Sequence, residues 1–226
     1  MPRNDDGSSA VQNLGFTLNF FGTNYTQFFV NNNGNLSFGS AISAFTPTGP
    51  QGVNSPLIAP FFADVDTSSA LSGLVFLRTD IPNEIIVTWN QVGYFDTNAN
   101  KLNSFQLVLR GPAFTVPAGE GQIGFFYKTM QWETGDASGG ANGFGGTPAA
   151  VGFGDGAGNG SVLQGSIQNG ISGVVNNKKI WFNLTGGVPI TTGPTGVPAP
   201  SSTGLIVLGL AGIGLSQWLR NRKQQA

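Results

Sequence analysis

The sequence predicts an all-β fold, a two-sheet antiparallel β-sandwich, on three observations. Leu14, Phe16, Leu18 and Phe20 alternate with smaller or polar residues, which sets four large side chains on one face of a strand. Short apolar runs of this kind recur down the chain, separated by turn-forming Gly, Asn, Asp and Pro. The only segment that reads convincingly as a helix lies near the C-terminus, so the body has no helical layer to set against a sheet.

After the strand that carries Leu14 to Phe20, further strands are expected at 27–30, 36–38, 57–63, 74–78, 85–89, 105–110, 122–127, 149–153 and 179–184. Asn31-Asn32-Asn33-Gly34-Asn35 is a hairpin signal, because Asn and Gly tolerate the positive φ of a tight turn. Asp96-Thr97-Asn98-Ala99-Asn100 copies the opening of a calcium loop. Lys101 replaces the Gly that such a loop needs and Leu107 its closing Glu, so the segment reads as a polar hairpin turn. Residues 135–160 are Gly-rich but lack the Gly-Lys-Ser/Thr of a phosphate cradle, and a loop is expected there. The β domain is expected over 1–187 and a Pro/Gly/Ser/Thr linker over 188–203.

Composition closes off much chemistry. The 226 residues include no Cys and no His, which removes thiol nucleophiles, disulfides, imidazole bases and Cys/His zinc sites together. Any enzyme here would rely on carboxylates, lysines, hydroxyls or an oxygen-bound metal. Of ten basic residues three lie in the tail, so the body carries seven against eleven acids, 7 − 11 = −4. That balance excludes nucleic acid as a partner.

The tail has three blocks. Pro198 and Pro200 keep the first extended and accessible. Residues 204–219 are uncharged and as a helix would reach about 24 Å, against a hydrocarbon core of about 30 Å, so one transmembrane helix is expected there. Arg220, Arg222 and Lys223 make 220–226 a basic cytoplasmic end and place the body outside the cytoplasm. Gly204, Gly209, Gly212 and Gly214 fit a membrane span better than a soluble helix. An export signal is then needed, yet residues 1–9 show no basic region followed by an apolar run, and a signal peptide is expected upstream of Met1.

Val197-Pro198-Ala199-Pro200-Ser201-Ser202, the Gly/Leu-rich span and the Arg-Asn-Arg-Lys end resemble a PEP-CTERM sorting signal. The resemblance implies a bacterial surface protein recognised by an exosortase. The family usually has Glu where this chain has Ala199, which leaves plain membrane anchoring as the alternative to cleavage. The body resembles the NIDO domain, the extracellular module of nidogen and related adhesion proteins. The resemblance is carried by Asn4-Asp5-Asp6-Gly7-Ser8-Ser9, residues 14–22, residues 30–38 and Ile58-Ala59-Pro60-Phe61-Phe62-Ala63-Asp64-Val65-Asp66. Residues 87–95, 103–109 and 132–140 continue it in order. It implies adhesion within an extracellular polysaccharide or matrix layer, and no catalytic residues.

Asp64 and Asp66, two apart on an expected strand, point the same way, and their carboxylates either share a hard cation such as Ca²⁺ or accept backbone N–H groups at the strand end. Trp132 and Phe144 are either core or sugar-stacking aromatics. Two functions follow from these residues: a non-enzymatic surface or matrix module, or a Ca²⁺-dependent lectin or carboxylate-based glycan hydrolase using Asp64, Asp66 or Glu133.

Overall fold

The alternating apolar residues from Leu14 onward do form a strand, β1 (Gln12–Phe20), in a computed structural model that describes residues 1–192. β1 turns back through Phe21 and Gly22 into β2 (Thr23–Asn31), and its pairing shifts between Asn13 and Leu18, where Gly15 takes φ 76°. β3 (Asn35–Ser37) and β4 (Pro56–Phe62) complete the first run. The chain then crosses through Asp64 to β5 (Val65–Asp66), β6 (Leu74–Ile81), β7 (Glu84–Tyr94), β8 (Asn98–Arg110) and β9 (Ile123–Thr129).

A small hairpin, β10 (Gly140–Ala141) with β11 (Phe144–Gly145), precedes β12 (Ala150–Asp155) and β13 (Gly160–Val162). A five-residue helix, α1 (Ile171–Val175), leads into β14 (Lys179–Thr185) and β15 (Val188–Thr191). One sheet runs β1-β2-β3-β4-β12-β13. The other runs β15-β14-β9-β8-β7, with β5 and β6 both on the far side of β7. β6 pairs with the first part of β7 and β5 with Gly93 and Tyr94, and every pairing is antiparallel.

The sheets face each other through aromatic rings. Phe61 of the first meets Phe105 of the second at 5.5 Å between centroids, and Phe153 stands between Phe125 and Phe182 at 5.2 and 4.8 Å. Each such buried side chain contributes about 1.5–3 kcal/mol. β4 is buried on both faces, because residues 39–55 fold over the outside of its sheet and set Ile42 and Val53 against Leu57, Ala59 and Phe62. That explains why β4 reads as a continuous apolar run while β1 alternates.

The structure departs from the sequence reading in three places. Within the stretch expected as a loop, the chain holds a 3-10 turn at Asp136–Ser138 and the β10–β11 hairpin before β12, which forms where the strand at 149–153 is expected. The body also holds α1, too short and too interrupted by Gly173 to give a helical period. Val188–Thr191, expected within the linker, instead pair with β14 as an edge strand that tolerates Pro189. Among the described residues no helix is long and apolar enough to cross a membrane. The expected sorting motif Val197–Pro200, the span 204–219 and the basic end lie outside the described residues.

Candidate functional site

The corner where the chain leaves β4 for the second sheet is built on buried amides. Asn31, Asn32, Asn33 and Asn35 are buried. Asn31 Nδ2 donates to Asn35 Oδ1 at 2.7 Å and to Ser37 Oγ at 2.9 Å, while the Asn32 carbonyl accepts Trp89 Nε1 at 2.9 Å. Gly34 makes the turn possible: its φ is 75°, and a Cβ there would lie 1.8 Å from the Phe61 carbonyl oxygen.

The same amides fasten the N-terminal segment to this corner. Asn32 N donates to the Gly7 carbonyl at 2.9 Å and Ser9 N to the Val30 carbonyl at 2.8 Å. Asn32 Nδ2 reaches the Asp5 and Val65 carbonyls, and Asn33 Nδ2 donates to Asp6 Oδ1 at 2.7 Å while its Oδ1 accepts Val65 N at 2.9 Å. Asp5 and Asp6 are thereby delivered to the sheet crossing that holds Asp64. One carboxylate oxygen from each of the three lies within 4.8 Å of the others.

Asp64 and Asp66 take different roles. Asp66 accepts Ser68 N on Oδ1 at 2.7 Å and Thr97 N on Oδ2 at 2.8 Å, which clamps the β7–β8 turn to β5. Asp64 is 1 % exposed, yet neither of its carboxylate oxygens has a hydrogen-bond partner, and Asp5 Oδ1 shares that condition. Burial, and then the charges of Asp5, Asp6, Asp66 and Asp136, push the Asp64 carboxyl up to about 7. Asp5 is raised to about 6 by burial and by Asp66, Asp6 and Asp96. Six of the eleven acids therefore share one neighbourhood: Asp5, Asp6, Asp64, Asp66, Asp96 and Asp136. Among the described residues the ion pairs are Arg78–Asp80, Arg110–Glu84 and Arg110–Glu120, none of which reaches this group.

Glu133 lies elsewhere and is fully engaged. Its Oε1 accepts Gly170 N at 2.7 Å, and its Oε2 accepts Ser172 N at 2.9 Å and Ser172 Oγ at 2.8 Å, so it anchors the start of α1. Trp132 is core, with Nε1 on the Val92 carbonyl at 3.1 Å, whereas Phe144 is exposed beneath Lys101. The β12–β15 end of the sandwich carries an apolar groove of about 330 Å³ lined by Phe125, Phe153, Leu163, Phe182, Pro189 and Ile190, with no carboxylate in its wall. Sequence reasoning reached Asp64 but not its partners Asp5 and Asp6. The signal is the adjacent pair Asp5-Asp6 in the Asn4–Ser9 block.

Fold and corner together define a two-sheet antiparallel module whose acidic side chains gather at a sheet crossing. The chain belongs to the NIDO-related family, whose model matches residues 1–186. It is 32 % identical to alpha-tectorin of Gallus gallus over 181 residues, covering 67 % of this chain and 8 % of that protein. With alpha-tectorin of Homo sapiens it shares 33 % over 183 residues, again 67 % of this chain and 8 % of the relative. Nidogen of Drosophila melanogaster is 29 % identical over 140 residues, 48 % of this chain and 10 % of that protein. The chain thus spans about a tenth or less of these relatives. No solved structure matches it.

Proposed function

We propose that the protein is a non-enzymatic adhesion or structural module of an extracellular matrix, exported to the outside of a bacterial cell. The observation that carries this reading is the family match across residues 1–186, which takes in nearly the whole described body. The engaged carboxylates support it. Glu133 holds backbone and hydroxyl groups and Asp66 holds two backbone amides, so neither is a free acid or base for glycan hydrolysis. On this reading residues 204–219 anchor the chain in the inner membrane and an exosortase cuts at Val197–Pro200, leaving the sandwich among extracellular polysaccharide or other matrix components. Ca²⁺-dependent glycan binding is a second reading, favoured by the unpartnered Asp64 carboxylate.

Cells expressing the full gene test the first reading. Fractionation is expected to place the β domain in the matrix fraction, with a mature C-terminus near residue 200 by mass spectrometry. An intact chain ending at Ala226 in that fraction would reject processing, and confinement to the cytoplasm would reject export.

A further inference from the structure

Three carboxylates meet at the β4–β5 crossing, and Asp64 is the member that demands explanation. Its side chain is nine-tenths buried or more, both of its oxygens lack partners, and it faces oxygens of Asp5 and Asp6 within 4.8 Å. A buried carboxylate without hydrogen bonds is costly unless something positive meets it. Arg3, the basic residue closest in sequence to Asp5 and Asp6, does not. It is spent on the carbonyls of Thr67, Ser69, Ala70 and Ser72. Asp66, Asp96 and Asp136 deepen the negative field without being members of the triad.

We infer that Asp5, Asp6 and Asp64 bind one Ca²⁺ ion, which ties the N-terminal segment to the sheet crossing. The donor set selects the ion class, because carboxylate oxygens suit hard cations and the chain offers no imidazole or thiolate. Ca²⁺ is favoured over Mg²⁺ because it accepts irregular sets of about six to eight oxygens, whereas Mg²⁺ demands near-ideal octahedral geometry and keeps most of its waters. Access is built in, since Asp5 and Asp6 are only partly buried while Asp64 closes the inner side. Waters fill the remaining positions from the open side.

Two further details fit the site. Gly135 packs against the inner carboxylate, where a Cβ would come 2.5 Å from both Asp64 Cβ and Oδ2, so no side chain is tolerated against Asp64 there. The Asp5 carbonyl and the Asp6 carboxylate are already held by Asn32 and Asn33, so little ordering remains when the ion binds. The site goes beyond the matrix reading and does not depend on it.

The test is titration of the full chain with CaCl₂ and with MgCl₂ after chelator treatment, by calorimetry and by thermal unfolding at neutral pH. One Ca²⁺ per chain is expected, with weaker Mg²⁺ binding and a Tm rise of about 5–10 °C at a hundredfold excess over Kd. Asp64→Asn is expected to fold and to lose the Ca²⁺ response, and Asp5→Asn with Asp6→Asn to lose it as well. No heat and no Tm shift in the wild type would overturn the site, leaving a carboxyl cluster that shares protons. An equal Ca²⁺ response in wild type and Asp64→Asn would also overturn it, by showing general surface binding.

Discussion

Raising the pH of the cation-free protein from about 5 to about 8 is expected to lower its stability, against the usual trend for a protein rich in carboxylates. The source is Asp64, raised from 3.8 to about 7 by burial and by Asp5, Asp6, Asp66 and Asp136. A carboxyl whose pKa is higher folded than unfolded binds its proton more tightly in the folded state. The associated stabilisation is complete below the unfolded value and is lost as pH climbs through about 7. The gap between the two values corresponds to about 4 kcal/mol as a ceiling, at about 1.4 kcal/mol per tenfold. Asp5 shares the same charges and adds less than its own shift suggests. At about 2–4 °C per kcal/mol for a domain of this size, Tm is expected to fall by roughly 5–10 °C. The window is free of histidine titration because the chain has none. The assay is thermal unfolding in chelator across a pH series, with Asp64→Asn giving a flatter profile. A wild-type Tm that stays level or rises over the window would contradict a raised Asp64 carboxyl.

Other substitutions probe the frame that holds the corner. Gly34→Ala is expected to cost at least about 2 kcal/mol by chemical denaturation, because the added Cβ would strike the Phe61 carbonyl at a φ of 75°. Glu133→Ala strands the buried N–H and hydroxyl of Ser172 and a partly buried Gly170 N–H, and is expected to cost about 2–3 kcal/mol and to expose the amides of α1 to hydrogen exchange. Glu84→Ala removes one of the two carboxylates that meet the buried Arg110 at 2.7 Å, leaving Glu120, and is expected to cost about 1.5–3 kcal/mol in the same denaturation assay. Phe144→Ala is expected to leave stability within about 0.5 kcal/mol, since that ring is exposed. If it also abolished binding to a polysaccharide matrix, that ring would join the adhesive surface.

What sequence made legible was periodicity and turn chemistry. β1 alternates because one face meets the core, and the Asn31–Asn35 run turns where Gly34 alone fits. Two-residue strands such as β5 and β10 are too short to show a period, and their pairing depends on neighbours far along the chain. The asparagines hid a second use. Read as turn formers, Asn32 and Asn33 are also buried hydrogen-bond hubs, and only the folded topology shows that they bring Asp5 and Asp6 to Asp64. For the same reason the expected pair Asp64 and Asp66 separates, one toward the N-terminal acids and one onto the amides of Ser68 and Thr97.

Whether a metal ion joins the N-terminal segment to the sheet crossing is measured directly by a crystal structure of the full chain grown with CaCl₂, with anomalous data. An anomalous peak among Asp5, Asp6 and Asp64, ringed by six to eight oxygens at about 2.3–2.6 Å, is the predicted result. Carboxyl oxygens of these residues hydrogen-bonded to one another at about 2.5–2.7 Å, with no peak between them, would contradict it.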